Sequence, residues 1–369
     1  MRRSPDLPFP QRAQTGPSGS ARSAGPPPPP WFEGWPRRAL DGDLAPESRP
    51  GGWPRVSLVT PTMNQAPYLE DTLLSVLHQG YPSLEYLVFD GGSTDGALEI
   101  LRRYGDRLTH WETGPDRGQS DAVNKGWRKS TGRYLWWLNG DDMLAPGALA
   151  DAVRFLEDNP RVDLVFGDLL RIDERGQAVE IHRVPDFDLA AYVLDGHHVS
   201  QAGALMRREV LDRIGTLDVD LHYLMDTDYW HRLALAGGRI VHVPRVLALF
   251  RVHAESKTQA SSARAVEERY VVVRRLLDHG SLPEKLRLRR VQVLGSMHLG
   301  CAREYQKIGR YRDSISELAL AARVWPRLLL LPVFGWYALL AVFGLLVGHS
   351  AWLRTRAALR RLRRRTADE

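Results

Sequence analysis

The rhythm of apolar and polar positions changes at Arg55. Beyond it, short apolar runs alternate with stretches in which apolar residues return every three or four positions. The runs Val56 to Thr60, Leu84 to Asp90, Leu108 to Glu112, Tyr134 to Asn139 and Val162 to Gly167 read as strands. Between them, Leu69, Leu73, Val76 and Leu77, and then Leu98, Leu101 and Tyr104, recur at helical spacing. Such alternation predicts an α/β fold, a mostly parallel sheet sandwiched by helices. Further along, the pattern predicts a strand at Gln201, a short helix ending at Gly215, another over Met225 to Ala236 and a last strand over Val246 to Val252. Trp136 and Trp137 lie inside a strand run and are expected to pack in the core.

A helical C-terminal region follows. In residues 259–326, Ala302, Tyr305, Gly309, Tyr311, Ile315, Leu318, Ala321 and Pro326 have the spacing of one tetratricopeptide repeat. A lone repeat cannot bury its own apolar face, so this one should pack on the preceding domain. Residues 328–348 are apolar throughout, about the 20 residues a bilayer core requires. We expect a membrane-associated segment at 327–349, interfacial or re-entrant and broken near Pro332 and Gly335. A single transmembrane span is the alternative.

Charge sharpens this picture. The basic tail, 350–369, has seven arginines against Asp368 and Glu369, five of the six formal positive charges. The pI of 9.5 therefore describes a tail and not a nucleic-acid-binding face. Arginines there suit an anionic membrane surface, with Trp352, Leu359 and Leu362 as an apolar side. Residues 1–50 are rich in Pro, Gly, Ser and Arg, with Pro26 to Pro30 unbroken, and read as a disordered leader. Cys301 is the single cysteine, so no intrachain disulfide forms, and no signal-peptide run precedes the prolines. Both features suit the cytoplasmic face of a membrane.

The unusual polar residues cluster in loops. Asp90 opens DGGSTDG after the second strand, Asp141 and Asp142 close LNGDD after the fourth, and Asp226 and Asp228 stand in LMDTDYW at a helix start. Each alone is an ordinary turn or helix-capping pattern. Two of them follow strands of one inferred sheet, whose carboxyl edge is where α/β proteins bind ligands. Oxygen-rich clusters of this kind suit Mg²⁺ or Mn²⁺. Asp226 and Asp228 are two residues apart on a helix, so only one should enter the crevice.

Taken in order, SLVTPTMNQ, LEYLVFDGGSTDG, PDRGQSDAVNKGW, WLNGDD, LMDTDYW and RVHAESKT span Val56 to Thr258. This stretch resembles the family 2 glycosyltransferases of the GT-A fold, which places that domain at 54–258. The resemblance implies a nucleoside-diphosphate sugar donor, inverting transfer, and a lipid-linked or polysaccharide acceptor in cell-envelope glycan synthesis. It implies that Thr60, Pro61, Asn64 and Asp90 line the nucleobase and ribose end of the donor site, completed by Asn124 and Lys125. It gives Asp141 to the ribose or the metal, Asp142 to the metal directly, Asp226 to the general base, and Arg251 and His253 to the donor diphosphate or the metal. His197 and His198 fall on the acceptor side. Gly91 departs from the family's paired aspartates, which leaves the nucleotide open. Two rivals remain, a nucleotidyltransferase on a related sheet and a membrane-tethered scaffold without catalysis.

Overall fold

The computed structural model describes residues 32–33, 35–37, 44, 46–49, 51–195, 199–257 and 262–350. Along the chain come β1 (Val56–Thr62), α1 (Ala66–Leu77), β2 (Leu84–Asp90), α2 (Ala97–Tyr104), β3 (His110–Thr113), α3 (Gln119–Lys129), β4 (Tyr134–Trp137), β5 (Met143–Leu144) and α4 (Ala148–Asp158). Next are β6 (Leu164–Asp173), β7 (Ala178–His182), α5 (Leu189–Leu194), β8 (Ala204–Arg207), α6 (Arg208–Ile214), α7 (Met225–Leu235) and β9 (Ile240–Val252). The helices α8 (Ala263–Leu277), α9 (Glu284–Arg287), α10 (Arg290–Lys307), α11 (Tyr311–Val324) and α12 (Pro332–Val347) complete the described chain.

The strands form one sheet in the order β3-β2-β1-β4-β8-β6-β9-β5, with β7 beside β6. β1 is buried along its whole length, as a strand covered on both faces must be. Successive residues leave it on opposite sides. Leu58 and Trp136 join the core under α1, α2 and α4, while Val59 and Trp137 join the core under α3, α6 and α7. The tryptophan pair is thus core packing, with Trp136 Nε1 donating to Ala202 O at 2.8 Å and Trp137 stacked on Trp230.

The expected parallel character holds for only half the sheet. β1 pairs parallel with β2 and β4, β2 with β3, and β6 with β9. The pairs β4 with β8, β8 with β6, β9 with β5 and β6 with β7 run antiparallel. β5 and β8 have two and four residues, too few for a periodicity to reveal them.

β5 fixes the geometry of the acidic loop. It follows β4 after five residues, yet it pairs with β9 and lies four positions from β4 across the sheet. Four steps of about 4.8 Å make about 19 Å on a flat sheet, close to the full reach of so short a link. Asn139 to Asp142 also closes a turn, Asp142 N donating to Asn139 O at 3.1 Å. The sheet therefore curls, bringing β9 toward the end of β4.

The C-terminal region is a helical layer. α10 and α11 form an antiparallel hairpin through Gly309, at φ +75°, and pack on α8. The repeat-like residues lie on this hairpin and the turn after it. The long apolar segment divides into a 3-10 turn at Pro326–Leu330 and the 16-residue α12, whose N-terminus Pro332 sets. Among the described residues no helix is long and apolar enough to cross a membrane.

The leader expectation fails for its described aromatic residues. Trp35 is buried, with Nε1 donating to Leu144 O at 2.9 Å, and Arg37 pairs with Asp71 at 2.8 Å. Average composition concealed two aromatic anchors, Phe32 and Trp35, that join the core.

Close approach of α3 to β1 depends on Gly126, where a Cβ would lie 2.4 Å from Val59 Cγ1. Gly126→Ala overpacks this contact and should lower unfolding free energy in denaturant melts by about 1–3 kcal/mol.

Candidate active site

Strand order reverses at β1, which has β2 on one side and β4 on the other. That reversal opens a crevice at the carboxyl ends of the strands. Its floor is built by mutual bonding of the strand-end loops. The Asp90 carboxylate accepts from Gly92 N at 3.0 Å, Ser93 N at 2.9 Å, Thr113 Oγ1 at 2.6 Å, and the Ser93 hydroxyl. Asn64 adopts φ +52°, donates its N–H to Ser93 Oγ at 2.7 Å and accepts Thr94 N at 2.9 Å. Asp90 and Asn64 thus shape the rim before any ligand arrives.

Other expected wall residues point elsewhere. Thr60 is fully buried, its hydroxyl 3.1 Å from Tyr86 OH, and Pro61 contributes a carbonyl that accepts Gly140 N at 3.2 Å. Asn124 donates to Leu217 O at 2.9 Å and accepts from Leu217 N at 3.0 Å. Its amide thus clips α3 to the loop ahead of α7. Lys125 reaches Asp121, one turn away, at 3.4 Å. Gly91 leaves a gap that Asp116 fills: a Cβ there would meet Asp116 Oδ2 at 3.1 Å.

The acidic loop passes close to the end of β1. A Cβ on Gly140 would lie 2.6 Å from Gln65 Oε1 and 2.8 Å from Thr62 Oγ1, so no larger residue fits. Beyond it the two aspartates part company. Asp142 is 1% exposed; its carboxylate accepts from Arg251 N at 3.0 Å and Asn139 Nδ2 at 3.4 Å. Burial, and secondarily the charge of Asp141, push its carboxyl well above the ordinary range. Asp141 keeps its carboxylate at the rim, 3.0 Å from His253 Nε2, whose ring rests against Tyr68 at 4.6 Å.

Arg251 holds this loop in place. Its guanidinium is 2% exposed, donates Nε to Asp141 O at 3.0 Å, reaches Asp173 O and Glu174 O at 3.4 Å each, pairs with Asp71 at 3.3 Å and lies over Tyr68. Every nitrogen is committed inside the protein, so Arg251 positions the acidic loop.

The helix pair separates as helical geometry requires. Asp228 is buried between Arg232 at 2.8 Å and Arg275 at 3.3 Å. Asp226 has no such cation on it; it accepts from Thr227 N at 2.6 Å, and burial raises its carboxyl pKa. Ahead of α7, the amides of His222, Tyr223 and Leu224 all donate to Glu268 of α8 at 2.7, 2.7 and 3.0 Å. The helical region therefore sets the start of the helix that bears Asp226.

Lys257 stands at the same rim. Its ammonium touches solvent, donates to Gln119 Oε1 at 2.8 Å and is near His222 O at 3.5 Å. Desolvation lowers its pKa, opposed by the charges of Asp141, Glu268, Asp116 and Asp226. Gln119 in turn donates to Asn139 Oδ1 at 2.6 Å, and Asn139 to Gln201 Oε1 at 3.3 Å. Residues from α3, the acidic loop, α7 and the end of β9 thus meet at one rim. Asp116, Gln119, Asn139 and Lys257 stood in the quoted motifs without a role, and Gln201 stood outside them. His197, His198 and Thr258 lie outside the described residues.

A protein-family signature, Glycosyl transferase family 2, matches residues 57–215. A PGL/p-HBAD biosynthesis glycosyltransferase of Mycobacterium tuberculosis is 31% identical over 182 residues, 48% of this chain and 68% of that protein. An uncharacterized glycosyltransferase of Rickettsia typhi is 28% identical over 226 residues, 58% of this chain and 69% of that protein. Among solved structures, S. aureus TarS 1-349 in complex with UDP-GlcNAc aligns with TM-score 0.54 and 16% identity, covering 74% of this chain and 91% of that one. The mannosyltransferase PcManGT from Pyrobaculum calidifontis, in complex with GDP-Man and Mn²⁺, aligns with TM-score 0.53 and 22% identity, covering 87% and 89%. The fold is that of these enzymes.

Replacing the buried guanidinium leaves carbonyls and a carboxylate unpaired. Arg251→Met should cost about 3–5 kcal/mol in unfolding free energy, and Arg251→Lys, which lacks the planar fork, should recover only part of it.

Proposed function

This chain belongs to glycosyl transferase family 2, and on that footing we propose that it transfers a sugar, with inversion, from a nucleoside diphosphate to a lipid-linked or glycan acceptor of the cell envelope. Membership makes it a glycosyltransferase, in place of the nucleotidyltransferase and scaffold alternatives. The observation that supports the finer reading is the rim itself, where Lys257 donates to Gln119 Oε1 at 2.8 Å, Gln119 donates to Asn139 Oδ1 at 2.6 Å, and Asp141 stands 3.0 Å from His253 Nε2. Three loops supply acids to one crevice, as a reaction needing both a cation and a base requires.

The donor set fits a divalent cation. Asp141 Oδ2 and His253 Nε2, 3.0 Å apart, offer a carboxylate oxygen and an imidazole nitrogen at the solvent side of the acidic loop. Two protein donors completed by diphosphate oxygens and water are typical for Mg²⁺ or Mn²⁺ at phosphate substrates. Among the described residues no group of three or more such side chains stands together. Asp142, assigned the direct contact on sequence, is buried behind the loop and acts through Asp141. When bound, the cation stabilises negative charge developing on the leaving diphosphate.

The residues of the chain supply the rest. The acceptor hydroxyl gives its proton to Asp226 as its oxygen bonds the anomeric carbon. The bond from that carbon to the diphosphate breaks, and its electron pair leaves with the nucleoside diphosphate. A carboxylate whose pKa is raised by burial suits proton removal better than a fully solvated one. Asp116, standing where Gly91 lacks a side chain, takes over the nucleobase end of the rim. A mycobacterial relative is a PGL/p-HBAD biosynthesis glycosyltransferase, and the acceptor proposed here is presented at the cytoplasmic face of a membrane.

Thermal unfolding with UDP or GDP should show stabilisation that depends on Mn²⁺, because a ligand of the native state raises its stability. Asp141→Asn should abolish the metal dependence. Asp226→Asn should keep the stabilisation and lose about 10²–10⁴-fold in kcat. Absence of a response to any nucleoside diphosphate defeats the reading.

The pH profile carries its own sign. Asp226 must be deprotonated to accept a proton, and its pKa is raised above 3.8. The acidic limb of kcat should therefore fall off above that value, with activity complete on the alkaline side. An acidic limb unshifted from an ordinary carboxylate would argue against Asp226 as the base.

A further inference from the structure

α12 is apolar around its whole circumference, but the protein covers only one side of it. Leu340, Ala341 and Gly344 are buried, and Tyr311 of α11 packs so closely on Gly344 that a Cβ there would lie 2.2 Å from its ring. Gln306 of α10 donates to Tyr337 O at 3.0 Å, fixing the helix to the hairpin. The opposite side is open: Leu339 is 62% exposed, Val342 47% and Leu346 78%. These positions recur at helical spacing, so they form one stripe. The turn before the helix extends it with Leu329, Leu330 and Leu331, Leu330 being 83% exposed. A contiguous apolar surface of this kind marks a partner.

Charge identifies that partner. Exposed Arg323 and Arg327 precede the stripe. The sequence after Gly348 carries seven arginines from Arg354 to Arg365. An apolar stripe between basic groups is complementary to acyl chains beneath anionic headgroups, whereas a second copy of the same face would bring like charges together. Two facts weigh against crossing by the described helix. Sixteen residues of helix extend about 24 Å against a hydrocarbon core of about 30 Å, and one side of α12 is already occupied by the hairpin.

We propose that α12 and the Leu329–Leu331 turn dock in the plane of an anionic lipid bilayer, half in the membrane and half in the protein. This stands apart from the donor chemistry. It makes the helical layer a rigid foot, and Glu268 of that layer holds the start of α7, so the base-bearing helix has a fixed relation to the membrane.

The test uses the full chain in co-sedimentation with phosphatidylcholine vesicles, with and without phosphatidylglycerol. We expect binding that requires the anionic lipid and weakens with salt. Leu339→Glu with Leu346→Glu should reduce it by about tenfold or more while leaving the melting temperature and the Mn²⁺-dependent nucleoside-diphosphate response unchanged. Arg361→Gln with Arg364→Gln, which leaves the packed helix untouched, should weaken anionic binding alone. Three results overturn the proposal: vesicle binding unaffected by the leucine changes, a dimer in solution that the same changes dissociate without any vesicle binding, or ready external labelling of a cysteine at Thr366 in intact cells, which would mean a span.

Discussion

A single buried guanidinium organises the catalytic rim. Arg251, at the end of β9, binds the backbone of Asp141, the carbonyls of Asp173 and Glu174 at the end of β6, and the carboxylate of Asp71 on α1. Its own amide holds Asp142. Charges this deep are tolerated only when fully paired, and here the pairing joins four segments distant in sequence. The acidic loop is therefore fastened at β4, at β5 and at its middle. A loop fastened in this way presents Asp141 without having to reorganise, which is the condition under which electrostatic stabilisation of a transition state is most effective.

The same economy of motion extends to the other side of the crevice. α7 offers Asp226 to the rim because Asp228 is retained by Arg232 and Arg275, and because Glu268 satisfies three amides ahead of the helix. Leu224 is the N-cap of α7, so its amide belongs to the unpaired set that every helix start exposes, and a carboxylate there also favours the helix dipole. The placement of Asp226 thus depends on the C-terminal helices, which are more than an appendage. Lys257 joins the two sides, donating to Gln119 Oε1 of α3 at 2.8 Å and lying 3.5 Å from His222 O ahead of α7.

Much of the fold was legible because its signals are redundant. β1 and β2 are continuous apolar runs, and the observed bounds differ from expectation by at most two residues. β6 was read short because the run includes Asp168 and Arg171, whose charges are hidden by His242 and Glu180. No window of residues announces β5, whose pairing exists only because the sheet curls. The site was legible as a set of motifs and illegible as a set of roles. Asp141 and Asp142 are adjacent and chemically identical; only the backbone of β9 decides which is buried. Arg251 and Asn124 read as ligand contacts because motif membership does not reveal which way a side chain points.

Mn²⁺ anomalous scattering from crystals soaked with the metal and a nucleoside diphosphate bears most directly on the central claim. The predicted peak lies between the carboxylate of Asp141 and Nε2 of His253, with Asp142 still bonded to the amide of Arg251. A peak coordinated by Asp142 and remote from His253 would contradict the account.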